Sequence, residues 1–171
     1  EGFPNWDKRS SRGICYLGKI DMKKFLHENI PEREGKVILP SGKVVGTHPG
    51  GMYFTIGEKV GEGKGVIIDR KLVGDAGVRL YVAGKLLGNK LVVAPVGDKA
   101  LKTSQVFVKD FHWIGREVKK GLKARIRHLG ELHSGKLKKQ SGKRVFVFDK
   151  GVEGVAEGQS IVLYKGEVLV G

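Results

Sequence analysis

The sequence predicts a mainly β fold with one short helix, an α+β chain in which a small central domain precedes an all-β domain. Three observations carry that expectation. Short runs of apolar and β-branched residues recur at even spacing through most of the 171 residues. The 27 glycines fall mainly between those runs, where a turn needs positive φ or a close backbone approach. One segment alone shows an apolar stripe at helical spacing. Many short strands so spaced point to a small barrel or a sandwich.

The elements follow in order. Residues 1–13, with Pro4, Asn5 and several charges, read as an interdomain linker, and a chain that opens on a linker is expected to have had something in front of it. A helix is expected over 21–30: Asp21 can cap it, Met22, Phe25 and Leu26 form its apolar stripe, and Pro31 stops it. Lys36-Val37-Ile38-Leu39 and Lys43-Val44-Val45 flank Pro40-Ser41-Gly42 as a hairpin. Val66-Ile67-Ile68 then gives way to Asp69-Arg70-Lys71 and Gly74-Asp75-Ala76-Gly77, which places a boundary within 66–78. The central domain is therefore expected over 14–70 and a β-barrel over 71–171. In the barrel, Leu80 to Ala83 and Lys90 to Ala94 bracket a loop containing Gly88-Asn89. Further strands are expected at Gln105 to Val108, Lys123 to His128 and Arg144 to Phe148, with Ser160 to Tyr164 paired to Glu167 to Val170 across Lys165-Gly166.

Charge narrows the function. The formal net charge is +14, and it is unevenly spread: residues 1–70 carry 12 basic and 9 acidic side chains, residues 71–171 carry 20 and 9. The densest stretch, from Lys119 to Arg144, sets Lys119, Lys120, Lys123, Arg125, Arg127, Lys136, Lys138, Lys139, Lys143 and Arg144 against Glu131. Such a stripe attracts polyanions and raises encounter rates with them. A solvated face that only keeps the chain in solution is the alternative, but it fits a net charge of a few units better than this one. No basic amphipathic helix accompanies the charge, which disfavours a membrane surface. No apolar run approaches the ~20 residues that cross a bilayer, and no charged-then-apolar leader is visible. With a single cysteine, the expectation is a soluble protein of a reducing cytoplasm, or of an organelle matrix if a transit peptide has been lost.

That cysteine, Cys15, lies in the glycine-flanked stretch from Ser10 to Gly18. Alone, it cannot form an internal disulfide or supply a cysteine zinc site. It is either an inert small hydrophobe or a working thiol, and Lys8, Arg9 and Arg12 just upstream favour the thiolate. Other motifs fail. Gly57 to Gly65 is glycine-rich, but its first glycine is misplaced for a phosphate loop and Lys64 is followed by Gly65 where a Ser or Thr should hold magnesium. His27, His48, His112, His128 and His133 show no metal-ligand spacing, so no metal site is expected. Tyr53, Phe54, Tyr81, Phe107, Phe111 and Trp113 could stack on bases, but in strand-like runs the core is the better reading.

Several blocks in order then resemble the C-terminal half of the tRNA-specific 2-thiouridylases (the MnmA/TrmU family). Ser11-Arg12-Gly13-Ile14-Cys15-Tyr16-Leu17-Gly18, with Phe25-Leu26 and Ile30-Pro31 after it, is similar to the family's Asp-Ser-x-Gly-Ile-Cys-Phe-x-Gly block. His48-Pro49-Gly50-Gly51-Met52-Tyr53-Phe54-Thr55-Ile56-Gly57 resembles its His-x-Gly-x-Met-Tyr-x-Thr-Ile-Gly segment. Tyr81-Val82, Lys123-Ala124-Arg125-Ile126-Arg127 and Gly158-Gln159-Ser160 through Val168 fall in family order and spacing. The chain departs from the pattern at Ser10, where the family has Asp, at Tyr16, where it has Phe, and at Glu58-Lys59, where many members read Gln-Arg.

The resemblance implies a tRNA sulfurtransferase. Such enzymes adenylate the 2-oxygen of the wobble uridine with ATP and replace it with sulfur carried as a persulfide on the cysteine matching Cys15. A second cysteine in the N-terminal domain helps release the sulfur and becomes disulfide-linked to the first. ATP with magnesium belongs to an N-terminal PP-loop domain that this sequence does not contain, so no cofactor is expected here and the 171 residues should not complete the reaction alone. The expected partners are tRNA and a sulfur-donor protein, a cysteine desulfurase or a sulfur relay, with no part for DNA or a membrane. Arg125, Ile126, Arg127 and Gln159 match segments that lie against RNA, and the C-terminal barrel is expected to resemble those of elongation factors. The readings left beside this one are a tRNA-binding β-barrel module without catalysis and an unrelated translation accessory of similar architecture.

Overall fold

The computed structural model describes residues 22–171 apart from positions 62, 64, 75, 76 and 128. The expected linker, the capping Asp21 and the block around Cys15 lie outside the described residues. The chain divides into two compact units, residues 1–32 and 33–171. In the first, α1 (Met22–Asn29) forms where the helical stripe predicted it. Its last turn is satisfied from within, Ile30 N–H donating to the Leu26 carbonyl at 2.8 Å and the Asn29 side-chain amide to the Phe25 carbonyl at 2.8 Å. Proline at 31 cannot continue it.

The second unit holds two sheets, each with its own core. β1 (Gly35–Ile38) and β2 (Val44–His48) form the expected hairpin. β3 (Ile67–Ile68) pairs with β2, and α2 (Arg70–Val73) follows, a second short helix that the sequence reading did not anticipate. Asp69 caps it, its carboxylate accepting from Lys71 N–H at 3.0 Å, and Gly74 ends it in the left-handed region. β4 (Leu80–Leu86) and β5 (Lys90–Pro95) make the second expected hairpin. They join the first sheet, order β3-β2-β1-β5-β4, because β5 runs parallel to β1 and pairs with it. The boundary expected within 66–78 is therefore displaced. Leu80, Val82, Leu91 and Val93 are fully buried with Val37, Val45 and Phe54, so residues 80–95 complete a core that the residues before 70 only begin. The change of sheet falls after Pro95 and before Lys102.

The second sheet is antiparallel throughout: β6 (Lys102–Val108), β7 (Leu122–Arg125), β8 (His133–Gln140), β9 (Lys143–Glu153), β10 (Val162–Lys165) and β11 (Val168–Leu169), in the order β11-β10-β7-β8-β9-β6. Its core gathers Leu122, Ala124, Ile126, Phe146, Phe148, Val152, Leu163 and Val170. β8 is the strand that the sequence reading passed over as a charged stripe. A two-residue turn at Ser141 (φ 49) and Gly142 (φ 76) joins it to β9, with Gln140 opposite Lys143. The sheet is barrel-like: it curls until β6, its edge strand, and the 155–161 segment entering β10 line one cavity. Among the described residues no ladder of hydrogen bonds closes that seam.

Candidate nucleic-acid interface

Alternation along β7 decides which groups the second sheet shows to solvent. Leu122 and Ala124 are buried, so Lys123 and Arg125 point the other way. Register continues this outward face sideways. Tyr164 lies opposite Lys123 on β10, Ser134 opposite Lys123 on β8, and Lys136 and Lys138 follow Ser134 at two-residue steps. Beyond them Val147 pairs with Gln105, and Val145, itself 1% exposed, with Phe107. Lys123, Lys136 and Lys138 are exposed, and none forms an ion pair among the described residues. Asp149 and Glu153, two and six residues beyond Val147, are acidic side chains of this face.

At one corner the residues expected from sequence converge. Arg125, Ile126, Arg127 and Gln159 line a single open groove of about 450 Å³, together with Ser160, Val162 and Tyr164. They play different parts. The Arg125 guanidinium lies over the Tyr164 ring, its carbon 5.1 Å from the centroid, an arrangement that holds a cation in place through the ring quadrupole. Its Nε is buried and has no hydrogen-bond partner among the described residues. Gln159 is exposed, just after Gly158, whose φ is 81. Ile126 is 7% exposed and packs in the second core, so any contact it makes with a ligand falls to its backbone.

Arg127 is committed to the fold. Its Nη2 donates to the Gly154 carbonyl. Gly154 (φ 69) has no room for a side chain, because a Cβ there would run into that guanidinium. Gly57 (φ 81) approaches from the first sheet's side, where its N–H donates to the Val82 carbonyl at 2.8 Å. A Cβ on Gly57 would meet the Gly154 Cα at 2.8 Å and Arg127 Nη2 at 3.3 Å. Arg127 therefore latches the loop after β9 beside the Gly57 turn. Glu58, one of the departures from the family pattern, serves the same turn: its carboxylate accepts from Thr55 N–H at 2.9 Å and its carbonyl from Val82 N–H.

The His48–Gly57 segment is held from inside. His48 is 1% exposed, with Nε2 3.1 Å from the Asn89 carbonyl. A carbonyl only accepts, so Nε2 carries the proton, while the buried Nδ1 makes no hydrogen bond of good geometry among the described residues. Burial lowers the His48 pKa from its ordinary 6.5. Asn89 (φ 56) accepts from Gly51 N–H at 3.2 Å and donates to the Arg33 and Glu34 carbonyls. Gly35 sits against both, and a side chain there would overlap the Asn89 carbonyl and the His48 ring. Among the described residues no group of three or more His, Cys, Asp or Glu could hold a metal ion.

Of the aromatics assigned to the core from sequence, Phe54 is buried at 2% exposed, and Phe111 packs edge-on to Trp113 at 4.9 Å under Arg144. Phe107 departs from that reading: it is 64% exposed, because β6 turns it to the outward face while Val106 takes the core position. Tyr164 and Asn89 were not singled out, since their roles depend on register and turn geometry.

Two family models divide the chain where the sheets divide. Residues 23–95 match the tRNA methyl transferase PRC-barrel domain, and residues 103–171 the aminomethyltransferase beta-barrel domain. Proteins named tRNA-specific 2-thiouridylase MnmA match nearly the whole chain. That of Halorhodospira halophila is 33% identical over 99% of this chain and 44% of its own length. That of Bordetella pertussis is 33% identical over 99% and 47%, and that of Bacillus subtilis 29% identical over 96% and 44%. The chain belongs to the tRNA-specific 2-thiouridylase family. It spans a little under half the length of these 2-thiouridylases. Among the described residues no helix is long and apolar enough to cross a membrane.

Proposed function

We propose that the chain is the tRNA-gripping and sulfur-carrying part of a tRNA sulfurtransferase that makes 2-thiouridine at the wobble position. The observation that carries this reading is convergence. Arg125, Arg127 and Gln159, from segments more than thirty residues apart, line one groove on the basic face of the barrel-like sheet. Arg125, stacked on Tyr164 at the open groove, suits a phosphate or a base edge, and Gln159 suits a base edge or a 2′-hydroxyl. Arg127, with one donor already given to Gly154, supports the groove and adds charge to it.

Cys15 is the proposed sulfur carrier. A thiolate near Lys8, Arg9 and Arg12 can accept sulfane sulfur, and a persulfide is a strong nucleophile toward an activated carbon. ATP with magnesium would supply that activation, bound by a PP-loop domain of the parent enzyme, and a second cysteine there would pair with Cys15 as sulfur leaves. A cysteine desulfurase or sulfur relay would be the donor, in the cytoplasm. The test is persulfide loading: with a cysteine desulfurase and cysteine, mass spectrometry should find one added sulfur on Cys15 and none in Cys15→Ser. A chain that binds tRNA but never loads would instead be a tRNA-binding module without catalysis.

A further inference from the structure

A second cavity, of about 330 Å³, lies in the seam of the curled sheet. On one side runs the edge strand β6, through Thr103, Gln105, Val106 and Phe107; on the other runs the 155–161 segment. None of its 16 lining residues is a lysine or an arginine, in a chain that carries 32 of them. A phosphate entering it would find no cation and would meet the carboxylate of Glu157. A flat, uncharged group with polar edges fits better. Leu101, Ile126, Val155 and Ile161 supply apolar wall, while Gln105, Gln159 and Ser160 supply amide and hydroxyl groups. Pockets of this size and mixture hold small organic rings. Phe107, 64% exposed at the cavity and on the basic face, is the side chain on which such a ring would stack.

We propose that the seam cavity is a nucleobase pocket, taking one unpaired base of an RNA whose backbone lies along the neighbouring basic groove. This rests on the reading of the barrel as an RNA-binding module. Gln159 joins the two places, since it lines both the cavity and the Arg125–Tyr164 groove. The Glu157 carboxylate only accepts hydrogen bonds, so the preferred base offers an exocyclic amino group: cytosine, adenine or guanine over uracil.

The test uses the 171-residue chain and three probes of equal length: oligocytidylate, oligouridylate, and a ribose-phosphate chain without bases. Phe107→Ala should weaken oligocytidylate binding roughly 5- to 150-fold and leave binding of the baseless chain unchanged. Phe107 is exposed, so its removal should leave the melting curve in place. Glu157→Gln should erase the preference for oligocytidylate over oligouridylate. Equal losses on the baseless chain, no loss on either probe, or a wild-type chain that binds all three alike would overturn the pocket and leave the groove standing. A wild-type chain that binds none of them would overturn the RNA-binding reading, and the pocket with it.

Discussion

The two sheets of the second unit use their polar side chains in opposite ways. Around the first, His48 and Asn89 are turned inward and spend their hydrogen bonds on the chain itself, fixing the Gly50–Gly51 loop and the strand at Gly35. On the second, Arg125 lies over Tyr164 at an open groove, and Lys123, Lys136 and Lys138 stand in solvent without ion pairs among the described residues. Inward polar groups specify a shape and are costly to disturb; outward ones contribute little to stability and are available to a partner. Substitution in the first region should therefore be read in stability, and on the outward face of the second in binding.

The largest effect is expected at Gly35. An alanine there would compete with the Asn89 carbonyl and the His48 ring for the same space, and Gly35→Ala should lose about 3 kcal/mol or more in urea unfolding. A wild-type midpoint would show that the loop is not held as described. Next comes the pair of arginines. Arg127→Ala leaves the Gly154 carbonyl without its donor and should lose roughly 1–2 kcal/mol, while Arg125→Ala should unfold like the wild type. Equal losses at the two positions would erase the distinction between latch and contact.

The smallest effect is one of pH. The His48 pKa lies below its ordinary 6.5, so the unfolded chain takes up a proton at a pH where the folded chain does not. Stability should fall as pH drops from about 6.5 toward the lowered value, and then level off. His48→Gln should remove that slope, whatever it does to stability at neutral pH. A slope that persists in the variant would assign it to other groups.

Much of this architecture was legible in the residues because local chemistry decided it. The turn residues at Pro40-Ser41-Gly42 and Gly88-Asn89 placed both hairpins of the first sheet. The parallel pairing of β5 with β1 was not legible, because it joins residues about fifty positions apart that carry no mutual signal, and the expected boundary moved with it. β8 hid for a different reason. Its outward positions, Ser134, Lys136, Lys138 and Gln140, are all polar, and one inward position is Gly135, packed against the Phe146 ring, so its apolar alternation is nearly blank. At the candidate site, the family resemblance singled out Arg125, Ile126, Arg127 and Gln159, but not which arginine is spent. That depends on Gly57 and Gly154 approaching closely enough to trap Arg127, a tertiary fact.

The central claim is that the Arg125 groove grips tRNA. The measurement that tests it most directly is the affinity of the chain for unfractionated tRNA across a range of salt concentrations, for the wild type and for Arg125→Ala. The variant should bind more weakly, and its plot of log affinity against log salt should be flatter by about 0.7–0.9, the signature of one lost phosphate contact. Identical affinities and slopes for the two proteins would contradict the claim.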